Sequence, residues 1–194
     1  MKQIAIIQGH PDPAGGHLCH ALADAYGDGA RAAGHSVTII DVAHIDFPLL
    51  RSQQDWDAGR SATPPGLLAA QDSCIAADHL GLIYPLWCGT MPALLKGFIE
   101  QVFRPGVVPS QDKSLPRGLM KGKSARIIVT MGMPVLAYRW YFGAHSLKNL
   151  QRNILGMVGI KPARSSLFGM VENANDKKRK QWFDLMRTLG GKAI

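Results

Sequence analysis

The chain has 194 residues, 46% of them hydrophobic and 19% charged, which suits one domain spanning 1–194 and excludes disorder as its main state. Three cysteines (Cys19, Cys74 and Cys88) without a CxxC spacing form neither a disulfide framework nor a zinc ribbon. The net charge of +8 is uneven: residues 1–97 carry 5 Lys+Arg against 9 Asp+Glu, and residues 98–194 carry 17 against 5. The densest basic run, Lys177-Lys178-Arg179-Lys180, has no interleaved aromatics and reads as the solvated start of a helix. Nucleic acid is therefore not an expected partner, and an anionic small molecule is. The longest uncharged stretch, Leu80 to Leu95, contains two prolines and is too short to span a bilayer. With an apolar run opening directly at Ile4 and no leader pattern, no signal peptide and a cytoplasmic location are expected.

Strand and helix signals alternate from end to end. Gln3–Gln8 reads as a buried strand, and a Gly/Pro loop leads into an apolar-periodic helix from His17 to Ala33. Gly34 sits where a left-handed residue ends that helix. Ser36–Asp41 is a second, β-branched strand, and 46–66 reads as loop. A helix over Leu67–Ala77 precedes a third strand, Leu80–Tyr84. A helix from Pro92 to Phe103 has proline in its first turn, and Pro105–Gly122 reads as another loop. A fourth strand, Ala125–Thr130, enters an irregular aromatic segment and a helix over His145–Val158. A short strand, Ser165–Phe168, and a helix, Asp176–Leu189, complete the series. Such alternation predicts a doubly wound α/β fold of the flavodoxin-like kind. Its sheet has five parallel strands in the order 2-1-3-4-5, with helices on both faces and the ligand site at the carboxyl ends of the strands.

Three loops meet at that edge. The first, Gly9 to His17, is rich in glycine and precedes a helix, where free N–H groups and the positive dipole end suit a phosphate, with His10 and His17 as added donors. It matches neither GxGxxG nor a P-loop. The second, Tyr84-Pro85-Leu86-Trp87-Cys88-Gly89-Thr90-Met91-Pro92, offers an aromatic face and backbone N–H groups to a planar heterocycle. Cys88 stands where a nucleophile elbow would lie, but Leu86 and Thr90 occupy the small-residue positions of GxSxG, so a cysteine hydrolase is not favoured. The third, Thr130-Met131-Gly132-Met133-Pro134, leads to Tyr138, Trp140, Tyr141, Phe142 and His145, a density of rings suited to stacking or a dimer interface. His20, His35, His44 and His79 show no metal-ligand pattern, His17 and His20 read as surface residues of the first helix, and no metal is expected.

Gly9-His10-Pro11, then Pro85-Leu86-Trp87 running into Met91-Pro92-Ala93-Leu94-Leu95-Lys96-Gly97-Phe98, then Gly122-Lys123-Ser124-Ala125 before Thr130-Met131-Gly132, resemble the NAD(P)H:quinone oxidoreductase family. The resemblance runs from residue 3 to about residue 160 and implies a homodimeric flavoprotein with non-covalent FMN or FAD. Such an enzyme takes hydride from NAD(P)H and passes two electrons to a quinone-like acceptor by a ping-pong route. By position, His10, Gly16, His17 and Leu18 correspond to the grip on the flavin phosphate. Pro85, Leu86, Trp87 and Cys88 correspond to one side of the isoalloxazine, and Thr130, Met131, Gly132 and Met133 to another. Tyr138 and His145 correspond to the residues facing the hydride-accepting substrate, where a preorganised donor stabilises developing charge. In this chain Ala14, Gly15 and Gly16 replace the family's hydroxyl and amide donors, Val107-Val108 lacks its usual aromatic, and His145 stands one residue beyond the family spacing. The alternative to an enzyme is a non-catalytic regulatory subunit of the same fold, binding a membrane transporter or other partner.

Overall fold

The structure, a computed structural model, describes residues 1–107 and 119–194. Five parallel strands form one sheet: β1 (Gln3–Gln8), β2 (Ser36–Asp41), β3 (His79–Pro85), β4 (Ser124–Thr130) and β5 (Ala163–Phe168), in the order β2-β1-β3-β4-β5. The expected topology is therefore the observed one. The three central strands are apolar along their length because both faces are covered. Ile4, Ile6, Ile83, Ile128 and Phe168 face α1 (Leu18–Ala32) and α6 (Asp176–Lys192). Ala5, Ile7, Leu80, Leu82, Tyr84, Ile127 and Val129 face the other layer. That layer holds α3 (Pro65–Ala76), α4 (Ala93–Val102) and the segment 138–160, which includes α5 (His145–Asn149). Each fully buried Ile or Leu stabilises the fold by about 1.5–3 kcal/mol relative to exposure.

Two of the polar residues inside the core are well paired. His79 is fully buried on β3, and its ring lies 2.8 Å from Tyr26 Oη on one side and 2.7 Å from Ser124 Oγ on the other. Arg126 on β4 bonds Ser166 Oγ at 2.9 Å and the carbonyl oxygen of Ile194, tying β4 to its neighbour strand and to the chain end.

Several elements differ from the sequence reading. The segment 46–66 contains a short helix, α2 (Gln53–Asp57), rather than loop throughout. Ser52 and Asp55 form a reciprocal capping box that gives five residues enough N-terminal satisfaction to turn. The helix expected over 145–158 is α-helical only to Asn149, and Leu150–Leu155 continue as wider π-type turns. β5 starts two residues earlier than expected, at Ala163. α6 runs on past Leu189 to Lys192 because Gly190 and Gly191 lie against α1 instead of ending the helix. Gly34 takes a φ of 81°, the left-handed geometry expected after α1. Most of the loop expected over 105–122, with Val108, lies outside the described residues.

Candidate active site

The carboxyl edge of the sheet gathers the three loops because each begins by extending a strand ladder. Gly9 N–H donates to Ile83 O, Leu86 N–H to Thr130 O, and Met131 N–H to Phe168 O, all at 2.8 Å. These bonds carry strand register one residue beyond β1, β3 and β4 and so fix where the loops depart.

In the first loop, Gly15 and Gly16 have φ of 73° and 75°, and a Cβ added at either would meet nothing within 4 Å. The space above them is open. His17 follows as an extended N-cap with no side-chain cap on α1. Among the described residues, the N–H groups of Gly16, His17, Leu18 and Cys19 donate to no acceptor. A run of free donors at the positive end of a 15-residue helix is an anion cradle.

Three imidazoles line its side. His10 and His17 stack with centroids 3.8 Å apart and planes 17° from parallel, and His20 lies 5.5 Å from His10 and 5.7 Å from His17. His10 is only 7% exposed. Its Nδ1 accepts the Asp12 N–H at 3.2 Å, which assigns the proton of the neutral ring to Nε2. Burial, aided by His17 and His20, lowers the His10 pKa to about 4, so the ring is neutral at physiological pH. Asp12 lies 2.6 Å from His17 Nε2 and accepts the Ala14 N–H at 2.9 Å, and these bonds hold its carboxyl below the ordinary range. Two buried polar atoms beside this cluster have no partner, Gln8 Nε2 and His20 Nδ1. Gln8 belongs to the site because its Oε1 accepts the His10 N–H. His20, expected on the solvent side of α1, is partly buried here instead, since its helix turn rolls it toward His10. No group of three or more His, Cys, Asp or Glu among the described residues has the arrangement to hold a metal ion.

The second loop is a two-residue reverse turn. Trp87 and Thr90 exchange N–H···O bonds of 2.9 Å in both directions, with Cys88 (φ 48°) and Gly89 (φ 77°) left-handed between them. This is the primed-turn geometry of tight hairpins, and it leaves the Cys88 and Gly89 N–H groups without acceptors among the described residues. Pro85 is buried, Leu86 half-buried and Trp87 48% exposed, its ring meeting His10 edge-on at 5.8 Å. The turn borders a cleft of ≈ 560 Å³ lined also by Met91, Pro92, Lys96 and Asn149.

The third loop closes against β5: Met170 N–H donates to Met133 O and Val171 N–H to Met131 O. Met131 is buried, Gly132 exposed and Met133 half-buried, so main chain rather than the Met131 side chain faces outward. Buried Thr130 reaches across to α1, with Oγ1 3.2 Å from Cys19 Sγ.

The structure thus brings His10, Gly16, His17, Leu18, Trp87, Cys88 and the 130–133 loop to one edge. Tyr138 is placed otherwise than the resemblance implies. It is 2% exposed, and its hydroxyl lies 2.8 Å from Ser146 Oγ and accepts the Leu147 N–H at 3.3 Å, turned into the start of α5. His145 is exposed and folds its ring over Gly143. It precedes Asn149 by four residues, so it lies one turn from a cleft-lining residue on the same helix face. Beyond it stand Leu136, Trp140, Tyr141 and Phe142, all exposed, with Tyr141 and Phe142 in edge contact at 4.9 Å. Sequence reasoning passed over Asp12, His20, Lys96 and Asn149. The His17–His20 spacing of three on a helix start was the available signal for one of them.

An uncapped anion cradle beside an exposed aromatic turn, at the carboxyl edge of a 2-1-3-4-5 sheet, is the arrangement of a flavodoxin-like protein. Residues 2–186 match the Flavodoxin_2 family, described as a flavodoxin-like fold. The chain belongs to this family. It is similar to an "uncharacterized NAD(P)H oxidoreductase" of Haemophilus influenzae, 29% identical over 154 residues and 78% of this chain and 76% of that one. An FMN-dependent NADH:quinone oxidoreductase of Shewanella amazonensis is 30% identical over 147 residues, covering 72% of this chain and 73% of the relative. Among solved structures, Smu.1420 of Streptococcus mutans matches with TM-score 0.77 and 26% identity over 97% of this chain and 98% of the other. At the level of fold, an NAD(P)H:quinone oxidoreductase of Methanothermobacter marburgensis matches with TM-score 0.78 and 21% identity over 98% and 94% of the two chains. No helix among the described residues is long and apolar enough to cross a membrane.

Proposed function

We propose that this flavodoxin-family protein is an FMN-dependent NAD(P)H:quinone oxidoreductase. The observation that carries the reading is the pairing of an open phosphate cradle at 15–19 with the exposed Trp87–Thr90 turn, joined by the His10 and Trp87 rings, whose centroids lie 5.8 Å apart. The oxidoreductase names of the relatives support the same class. FMN is preferred to FAD because the donors cluster around one terminal phosphate and the relatives that name a flavin name FMN.

The residues fit the group on the structure's own terms. Free N–H groups of Gly16, His17, Leu18 and Cys19, with His10 Nε2–H and Gln8 Nε2, would hold its phosphate. The exposed Trp87 face would pack the ring system, and the Cys88 and Gly89 N–H groups, which have no acceptor among the described residues, would donate to its polar edge. Leu86, Pro85, Thr130, Gly132 and Met133 would form the walls, with Met131 contributing main chain. When bound, FMN supplies the redox chemistry, accepting hydride from NAD(P)H and returning two electrons to a quinone in alternate visits to one pocket. His145 offers a donor to the acceptor at the cleft rim. Tyr138 acts as a positioning residue, since its hydroxyl organises Ser146 and Leu147 at the start of α5. The exposed rings at 140–142 supply an apolar face for a second copy of the chain, which supports a homodimer.

The test is near-ultraviolet and visible absorbance of purified protein reconstituted with FMN. Twin flavin bands that bleach anaerobically with NAD(P)H and return on adding menadione are expected. A protein that retains no flavin sinks the reading and turns attention to the non-catalytic, partner-binding alternative.

A further inference from the structure

A cavity of ≈ 590 Å³ opens beside the cleft at the Trp87–Thr90 turn, between the segment 50–56, α4 and residues 154–158. Two elements run from the cleft into it. On α4, Pro92, Ala93 and Lys96 line the cleft, while Lys96, Ile99, Glu100 and then Phe103 at the helix end line the cavity. Steps of three and four keep these residues on one helix face. From Lys96 to Phe103 the helix axis covers roughly 10 Å at 1.5 Å per residue. Across from α4, Asn149 lines the cleft, and Ile154, Met157 and Val158 of the same segment line the cavity. Lys96 borders both spaces, which makes the cavity an extension of the cleft.

The chemistry of the cavity is apolar. Ile99, Phe103 and Val158 are buried at its back, Trp56 and Ile154 are half-buried at its sides, and Met157 stands exposed at its mouth. Its polar residues are turned to one another. Ser52 Oγ accepts the Asp55 N–H at 3.0 Å, Gln53 Nε2 donates to Asp57 at 2.9 Å, and the Lys96 ammonium is paired with Glu100. Arg51 is exposed at the rim. A dinucleotide or a phosphate placed here would set its charges against apolar walls, at a desolvation cost the paired groups do not offset. A hydrocarbon chain leaving water for the same walls is stabilised by each group it buries.

We propose that this cavity takes the apolar side chain of the electron acceptor, so that the protein prefers quinones bearing an alkyl or prenyl chain to bare-ring quinones. The inference rests on the quinone oxidoreductase reading and deepens it by naming the acceptor class. The quinone ring stays in the cleft, and its chain passes the methylene stem of Lys96 and lies along α4. Trp56 supplies a flat wall, and the unbranched Met157 adapts to the chain at the mouth.

The experiment has two arms. In the first, FMN-loaded protein is assayed with NAD(P)H and either methyl-p-benzoquinone or decyl-p-benzoquinone. The decyl compound should have the higher kcat/KM by roughly ten- to a hundredfold, carried by KM, which two or three buried methylenes supply at about fourfold each. Met157→Lys and Ile154→Glu should bring the two quinones close to parity and leave the methylquinone rate unchanged. In the second arm, protein without flavin is titrated with bromodecanol, whose terminal bromine quenches tryptophan on contact. Saturable quenching is expected, reduced in Trp56→Phe and weakened in Met157→Lys, whereas bromoethanol shows no saturation. Equal kcat/KM for the two quinones, or a decyl preference that survives both charged variants, overturns the inference and leaves the flavin reading standing. A dimer by gel filtration that bromodecanol does not quench at Trp56 means that a second copy covers the cavity, which also overturns it. FMN-loaded protein that reduces neither quinone overturns the oxidoreductase reading and the acceptor assignment with it.

Discussion

Cys19 Sγ lies 3.2 Å from Thr130 Oγ1, so the first turn of α1 is bonded to the last residue of β4. The contact joins two of the three loops that build the site. Through it the free N–H groups of residues 16–19 keep a fixed distance from the Met131–Met133 main chain. Thr130→Val keeps the shape and removes the hydroxyl, leaving a buried thiol without its partner. A loss of about 1 kcal/mol in urea denaturation is expected, with Thr130→Ser close to the parent. Equal stabilities for Val and Ser would mean that the bond contributes nothing.

The same burial separates the three thiols. Desolvation pushes Cys19 up to about 11, against the pull of Thr130, and Cys74 up to about 12. Cys88 stands exposed in the left-handed turn beside Trp87. Since the thiolate is the reactive form, native protein at pH 8 should show one fast-reacting thiol toward a disulfide reagent, and denatured protein three. Cys88→Ser should abolish the fast phase. A fast phase that survives this change would place a second thiol in contact with solvent.

The sheet was legible because its strands are buried on both faces, which leaves unbroken runs such as Ile127-Ile128-Val129 that permit little else. The loops were legible as places, through glycine and proline, but not as side-chain arrangements. That Tyr138 turns its hydroxyl to Ser146 depends on the π-type turns at Ala137–Tyr141, which no local spacing encodes. His20 looked like a solvent residue because a three-residue spacing on a helix start fits either face until the packing of α1 on the sheet is known. α2 was missed although Ser52 and Asp55 spell its capping box, because Pro48 and Pro64 around it argued for loop.

The two helices on one face meet more closely than side chains allow. A Cβ added at Gly29 would stand 2.0 Å from Arg187 O, and one at Gly190 would stand 2.0 Å from Tyr26 O. Both clashes are with backbone, so relief requires α1 and α6 to separate. Gly29→Ala and Gly190→Ala should each destabilise the protein by about 1–3 kcal/mol or more, whereas Ala at Gly191, 3.2 Å from its nearest neighbour, should cost less. Thermal melting of the three variants makes the comparison. Similar midpoints for all three would argue against backbone contact between these helices.

Acid stability should report the buried pair of Tyr26 and His79. Burial, with Lys2, Arg126 and His35 adding to it, lowers the His79 pKa from 6.5 to about 4. Between those values the unfolded chain binds a proton that the folded chain refuses. Stability therefore rises with pH across the window, is fully present above about 6.5, and is lost as pH falls toward 4. For a fully buried ring the loss is on the order of 3 kcal/mol at 1.36 kcal/mol per pKa unit. His10, lowered in the same direction, adds to the slope in the same window. The measurement is the free energy of unfolding in urea at several pH values from 7.5 down to 4.5. His79→Gln keeps a donor and an acceptor for Tyr26 and Ser124 but cannot titrate, so its stability should be lower at pH 7.5 and fall less steeply with acid. A parent protein equally stable at pH 7.5 and 5 would show that His79 is hydrated and protonates freely in the folded state.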